Sequence, residues 1–179
     1  MTRESIDARI AAGYQARRES RLAEAMTDFN AAIEECRQSK ETLRLARALS
    51  GLGQIERDLG DTESAAGHYR ESVAILRAGG PSLALAHTVR HLGDILRGRG
   101  ELEDAGAAYG EALAIYRTDT KTPPLDLANA LRGYALLRGQ TGDNAESIKL
   151  WQEAGRLYRL ANVDAGVAES IAQIAALSN

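Results

Sequence analysis

The chain repeats itself along its length, and this feature constrains its fold more than any other. Two kinds of position recur at an interval of 40 residues: a glycine, at Gly13, Gly53 and Gly93, and an aromatic residue, at Phe29, Tyr69 and Tyr109. A fourth copy follows after 42 residues, where Ala135 replaces the glycine and Trp151 the aromatic residue. The two additional residues fall in the connector that contains Pro123 and Pro124. The repetition indicates an array of similar units.

Each copy has the pattern of a helical hairpin. In the second copy, apolar residues recur with helical spacing before Gly60-Asp61 and again after it, at Ala65, Tyr69, Val73 and Leu76. Aromatic residues make up only 4% of the 179 residues, and the three prolines lie only in connectors, which favours helices packed through small and aliphatic side chains. We therefore predict an all-α fold, with hairpins over residues 4–38, 42–78, 82–118 and 124–160 and a last helix over 164–178.

The recurring glycines and aromatic residues have expected places in such hairpins. Gly60, Gly100 and Gly142 suit the left-handed residue that ends a helix, and the acidic residue after each suits the start of the next helix. A glycine inside a helix costs about 1 kcal/mol relative to alanine, so the recurrence of Gly53 and its counterparts predicts close approach of the partner helix. Tyr109 and Trp151 are predicted to be core residues.

The motif formed by Leu52-Gly53, Gly60-Asp61, Ala65 and Tyr69, and again by Leu92-Gly93, Gly100-Glu101, Ala105 and Tyr109, resembles the tetratricopeptide repeat. The resemblance extends over nearly the whole chain, and the long period is similar to that of kinesin light chain repeats. The pattern departs from the family at Ser20-Arg21 and at Ser147, where other copies have glycine with an acid and alanine. The resemblance implies one domain over residues 1–179: a right-handed α-α superhelix, or solenoid, of four tetratricopeptide-like hairpins with a C-terminal capping helix.

The resemblance also implies that the first helix of each hairpin lines a concave groove. The residues that we expect in this groove are Tyr14, Arg17, Arg47, Gln54, Arg57, His87, Arg90, His91, Asp94, Arg97, Asn129 and Arg132. On this inferred inner face seven arginines oppose three acids, Asp7, Asp58 and Asp94, whereas the second helices carry mostly acidic residues. The sequence therefore predicts a basic groove within an acidic outer surface.

We interpret the chain as a non-enzymatic protein-interaction scaffold that binds an acidic, extended peptide in this groove, because guanidinium groups hold carboxylates by two-point contacts. Three other interpretations stay open. The arginines could form local ion pairs, such as Arg90 with Asp94, on a solvated face. The chain could instead be a self-associating or partner-docking scaffold or chaperone that uses its convex face or its ends. Nucleic-acid binding has less support, because the groove offers almost no aromatic residue for stacking and the net charge is −3.

Other kinds of site have weaker patterns. His87, His91 and Asp94 have a spacing that could hold a metal, but Arg90 and Arg97 share their stripe, so we expect no metal and no cofactor. The glycines around Leu52 do not form a nucleotide-binding fingerprint, and nothing indicates convergent catalytic groups. The single cysteine, Cys36, is predicted to be structural. No signal peptide or membrane span is evident, so we expect a cytoplasmic protein.

Overall fold

A computed structural model describes residues 2–178 of the chain, and these residues form nine α-helices and no β-strand. The helices are α1 (Arg3–Arg18), α2 (Leu22–Ser39), α3 (Thr42–Asp58), α4 (Thr62–Gly79), α5 (Ser82–Gly98), α6 (Leu102–Thr118), α7 (Pro124–Gln140), α8 (Asn144–Leu160) and α9 (Asp164–Leu177). The predicted all-α class is confirmed. No helix in the described part of the chain is both long and apolar enough to cross a membrane.

The turns between paired helices follow one pattern, in which a residue with positive φ ends the first helix. Gly60, Gly100 and Gly142 have φ of 86°, 81° and 83°, as their recurrence predicts. Ser20 adopts φ of 60° at the corresponding place, so the turn keeps its shape in the first hairpin without a glycine. Asp61 and Asp143 accept hydrogen bonds from main-chain N–H groups of the next helix, whereas Glu101 makes no such side-chain cap.

The chain divides into two compact units, one ending at Thr88 and the other beginning at Val89. In the first unit, the ring of Phe29 on α2 lies between two glycines, Gly13 of α1 and Gly51 of α3. A β-carbon at Gly13 would lie 3.0 Å from this ring, and one at Gly51 would overlap it. Gly53 makes the same approach to Tyr69 within its own hairpin, with a β-carbon 3.0 Å from the ring. The predicted close approach is confirmed, and the neighbour is an aromatic ring.

The second unit repeats this arrangement around Tyr109. A β-carbon at Gly93 would lie 3.1 Å from the Tyr109 ring, and one at Gly133 would lie 2.6 Å from it. Tyr109 and Trp151 are fully buried, which confirms their prediction as core residues. Ser147 is also fully buried, and its hydroxyl donates a hydrogen bond of 2.8 Å to the carbonyl of Ala135. This bond explains why a serine is tolerated where the other copies have alanine.

Candidate functional site

A cleft of about 350 Å³ opens in the first unit, between α3, the end of α4 and the first turns of α5. Three of the predicted groove residues, Tyr14, Arg47 and His87, contribute to its lining. The remaining lining residues are mostly apolar: Leu43, Ala46, Ser50, Leu76, Pro81, Ala84 and Thr88. The cleft therefore combines apolar walls with a few polar groups, as ligand sites of proteins commonly do.

Tyr14 and Arg47 contact each other at one side of the cleft. The Tyr14 hydroxyl donates a hydrogen bond of 3.2 Å to the carbonyl of Arg47, whose guanidinium carbon lies 5.7 Å from the centroid of the Tyr14 ring. This ring in turn meets Phe29 edge to face, with the centroids 5.0 Å apart. Burial raises the pKa of the Tyr14 phenol, against the opposing effect of the Arg47 and Arg17 charges. Tyr14, which packs against the core residue Phe29, thus contacts an arginine that is itself exposed.

Two buried hydroxyl groups, those of Ser50 and Thr88, line the cleft, and a third, that of Ser72, is bonded to Ser50. Ser72 donates a hydrogen bond of 2.8 Å to the carbonyl of Ala46, and Thr88 donates one of 2.8 Å to the carbonyl of Ala84. The Ser50 oxygen lies 2.9 Å from the Ser72 oxygen and 3.3 Å from that of Thr88. Because both neighbours give their only hydroxyl hydrogen to a carbonyl, Ser50 is the available donor, and its single hydrogen fits the shorter contact, to Ser72. The oxygens of Ser50 and Thr88 can therefore still accept hydrogen bonds from a ligand.

Four other arginines of the predicted groove have carboxylate partners within the protein: Arg17, Arg57, Arg90 and Arg132. In the first unit, Asp58 accepts from Arg17 at 2.7 Å and from Arg57 at 2.8 Å. By contrast, Arg47 takes part in no ion pair within residues 2–178. The sequence shows an excess of arginine on this face, but it does not show which arginine is left to bind an external carboxylate.

In the second unit, Asp94 is the centre of a polar cluster. Its carboxylate accepts from Arg90 at 3.0 Å and from the Tyr109 hydroxyl at 2.7 Å, and Nδ1 of His91 lies 3.7 Å away. Burial first, and then the Asp94 charge, raises the pKa of Tyr109, while the neighbouring Arg97 opposes this shift. The local pairing of Arg90 with Asp94, which the spacing allowed, is therefore present.

Arg132 and Asn129 of α7 also have internal partners. Both oxygens of the Glu169 carboxylate on α9 accept from Arg132 at 2.7 Å, and this pairing raises the pKa of the arginine. The Asn129 side-chain oxygen accepts from the Tyr158 hydroxyl at 2.8 Å. Gln54 and Arg90, both predicted to line the groove, are only 8% and 9% exposed, so neither side chain is freely solvated.

The histidine pair has no metal-site geometry. His87 lines the cleft of the first unit, whereas Nε2 of His91 lies 2.7 Å from Nη2 of Arg90 and accepts its hydrogen bond. Within the described part of the chain, no three His, Cys, Asp or Glu side chains are placed to share a metal ion. Cys36 is fully buried, and burial raises the pKa of its thiol to about 11. Its surroundings are those of a structural cysteine.

Sequence comparison alone does not find several of the lining residues. Pro81 belongs to a connector, and Leu43 and Ala84 lie in the first turns of α3 and α5. These three residues do not belong to the polar helix faces on which Arg47 and Tyr14 are predicted to lie. The available sequence signal is Pro81 itself, which marks the connector before α5.

Comparison with known proteins gives the same fold. Residues 7–78 match the family model described as Tetratricopeptide repeat. Among curated protein sequences there is no significant match. The crystal structure of RapI in its apo form superposes with a TM-score of 0.85 at 14% identity, over 93% of this chain and 60% of that one.

Two further crystal structures are similar. BtubC (BKLC) from P. vanneervenii has a TM-score of 0.78 at 18% identity, over 88% of this chain and 64% of that one. A putative kinesin light chain with nearly identical TPR-like repeats, from Podosopora anserina, has a TM-score of 0.71 at 12% identity, over 97% and 95%. The chain thus spans less than two thirds of RapI and of BtubC. Residues 7–78 therefore match the tetratricopeptide repeat family, and the chain has the same fold as these three repeat structures.

Proposed function

We propose that the chain is a non-enzymatic interaction scaffold that binds an extended, acidic peptide segment of a partner protein through the cleft of the first unit. Tetratricopeptide repeats generally serve in protein interaction, and the match over residues 7–78 covers most of the cleft. The observation that carries the proposal is the exposed Arg47 guanidinium, held by Tyr14 beside apolar walls and paired with no carboxylate of the described residues. We expect the protein to be located in the cytoplasm.

The cleft is suited to two neighbouring groups of such a peptide. An apolar side chain would enter between Leu76 and Ala84, where it is removed from water. A carboxylate one or two residues away would pair with Arg47. The other predicted groove residues stay part of the proposal. Binding of a ligand carboxylate to the paired arginines would cost free energy, because it would have to replace Asp58, Asp94 or Glu169.

The test is selection of peptides from a random phage-displayed library on the immobilised chain. We expect enrichment of sequences with Asp or Glu within two residues of a large apolar side chain. Arg47→Glu and the cleft-filling Ala84→Phe should each reduce capture at least about tenfold, a change of about 1.4 kcal/mol. Capture should also fall as salt rises from about 0.05 to 0.5 M, because exposed charge pairs are screened.

Arg70→Glu is the matched control, since Arg70 lies on α4 outside the cleft lining and undergoes the same charge reversal. It should leave capture unchanged, and thermal unfolding of all three variants should show that they fold. Enrichment of peptides without acids, or full capture by Arg47→Glu, would contradict the acidic-peptide proposal. Failure to enrich any peptide would contradict peptide binding itself.

A further inference from the structure

A second docking surface follows from ion pairs that recur between successive second helices. In the first unit, Arg37 of α2 pairs with Glu71 of α4 at 3.1 Å. In the second unit, Arg117 of α6 pairs with Glu153 of α8 at 2.7 Å. Arg37 and Arg117 occupy the same place in their repeats, 80 residues apart, and so do the two glutamates, allowing for the two-residue insertion. Within each unit, therefore, an arginine of one second helix pairs with a glutamate of the following second helix.

Arg159 of α8 is the next arginine in this series, 42 residues after Arg117. Its side chain lines a groove of about 250 Å³ between α8 and α9, together with Arg156. Neither arginine forms an ion pair within residues 2–178. The structure thus keeps the arginine of the recurring pair at a place where the described residues provide no glutamate.

Apolar residues of α9 are also exposed at positions that are buried in the preceding first helix. Leu131 and Ala128 of α7, against which α8 packs, are both fully buried. Their counterparts 40 residues later, Ile171 and Ala168, are exposed, and Ile171 has an exposed fraction of 61%. Ile171 also lines the groove that Arg159 borders. The exposed Ile171 and the unpaired Arg159 therefore line the same groove. A buried apolar residue on a first helix and an arginine on a second helix likewise accompany α8, at Leu131 and Arg117.

We propose that this groove binds an amphipathic helix of a partner protein with the chemistry of the chain's own second helices. Its small and apolar residues would cover Ile171 and Ala168, and a glutamate on the adjoining stripe would pair with Arg159. The charge complementarity is set by the Arg37–Glu71 and Arg117–Glu153 pairs. This surface belongs to the second unit and uses no residue of the peptide cleft.

The probe is a synthetic, fluorescently labelled peptide with the sequence of residues 144–160, which contains Glu153. Fluorescence anisotropy should show saturable binding to the intact chain. We expect Arg159→Glu to weaken this binding at least about tenfold, since like charges across an interface are strongly unfavourable. The peptide carrying Glu153→Arg should restore binding to that variant. Ile171→Asp should weaken both combinations, because it places a charge in the apolar part of the groove.

Lys149→Glu is the matched control, because Lys149 is an exposed cation of the same helix outside the groove lining. The Lys149→Glu variant should bind the probe like the parent. Arg47→Glu should also bind it like the parent, because Arg47 lies in the peptide cleft and not in this groove. The proposal is overturned if the parent does not bind the probe or if Arg159→Glu binds it equally well. It is also overturned if sedimentation shows a dimer of the parent that Arg159→Glu dissociates, since a second copy would then occupy the groove.

Discussion

Gly51 of α3 lies against the ring of Phe29 of α2, so that the ring of one hairpin occupies the space that a β-carbon of the next would need. Gly133 of α7 has the same relation to Tyr109 of α6. In each case the aromatic residue is also in contact with a glycine of its own hairpin, Gly13 or Gly93. The aromatic side chain therefore joins successive hairpins as well as the two helices of one hairpin.

Replacing Gly51 by alanine should destabilise the protein, because the β-carbon would overlap the buried ring and either the ring or the helix would have to move. We expect a loss of about 1 to 3 kcal/mol in the free energy of unfolding. Gly67 provides the matched control: it lies inside α4, and a β-carbon there meets no atom within 4 Å. Gly67→Ala should stabilise by up to about 1 kcal/mol through helix propensity. Equal unfolding midpoints in urea for the two variants would contradict this account.

Periodic comparison of the sequence reveals Gly53 but not Gly51, and the reason is physical. Gly53 recurs in three copies because in these three hairpins the first helix closely approaches the aromatic ring of its own hairpin. The position of Gly51 holds His91 in the third copy and glycine again at Gly133, so the interval of 40 residues is interrupted. Contacts within a hairpin repeat with the sequence, whereas contacts between hairpins vary with the neighbour.

The candidate site was predictable to a similar, partial degree. Helical spacing places Arg47 and Arg57 on one stripe of α3, and the 40-residue interval places Arg17 of α1 at the position of Arg57. The stripe does not reveal that Asp58 holds Arg17 and Arg57 while Arg47 stacks on Tyr14. Side-chain pairing across hairpins depends on rotamers and on small differences in helix position, which a residue interval does not encode.

Replacing Ser20 by glycine should stabilise the first hairpin. Ser20 has φ of 60° in a turn where the other first helices use glycine, and a β-carbon is unfavourable in this left-handed conformation. We expect a gain of about 0.5 to 1 kcal/mol, which corresponds to a rise in melting temperature of about 1 to 4 °C for a chain of this size. Gly60→Ser, at φ of 86°, should shift the melting temperature in the opposite direction. An unchanged or lower melting temperature for Ser20→Gly would contradict the prediction.

The Asp58 carboxylate should make stability depend on acid pH. Burial acts to raise its pKa, but hydrogen bonds from Arg57 and Arg17 outweigh burial and hold the pKa below the ordinary value of 3.8. A carboxyl with a lowered folded-state pKa stabilises the protein above its unfolded pKa, and this contribution is lost as the pH falls through the folded value. The parent should therefore lose more stability than Asp58→Asn when the pH is lowered from about 5 to below 3.8.

The measurement is urea unfolding of both proteins across this pH range. The difference should be at most about 1 kcal/mol, because the pair is partly exposed. Adding Arg17→Met to Asp58→Asn should leave the pH profile of the single variant unchanged, since the carboxyl that titrates is already absent. Parallel profiles for the parent and Asp58→Asn would show that Asp58 does not contribute to the pH dependence.

The last helix should stabilise the second unit through its contact with α8. Gly166 of α9 lies against the buried ring of Tyr158, and a β-carbon there would lie 2.5 Å from a ring carbon. Gly155 makes a second close approach, to Ser170 of α9. A chain that ends after Asn162 would expose Tyr158 and Trp151 to water, and we expect it to lose several kcal/mol, at about 25 cal/mol for each Å² of apolar surface uncovered.

Gly166→Val tests the same contact in the full-length chain and should lower the unfolding midpoint by displacing α9 from Tyr158. The matched control is Ala165→Val, since Ala165 is the exposed neighbour on the same helix turn. It introduces the same branched side chain without entering the contact, so it should cost less than about 1 kcal/mol. If the truncated chain melts like the parent, or if both valine variants behave alike, α9 does not stabilise the second unit in this way.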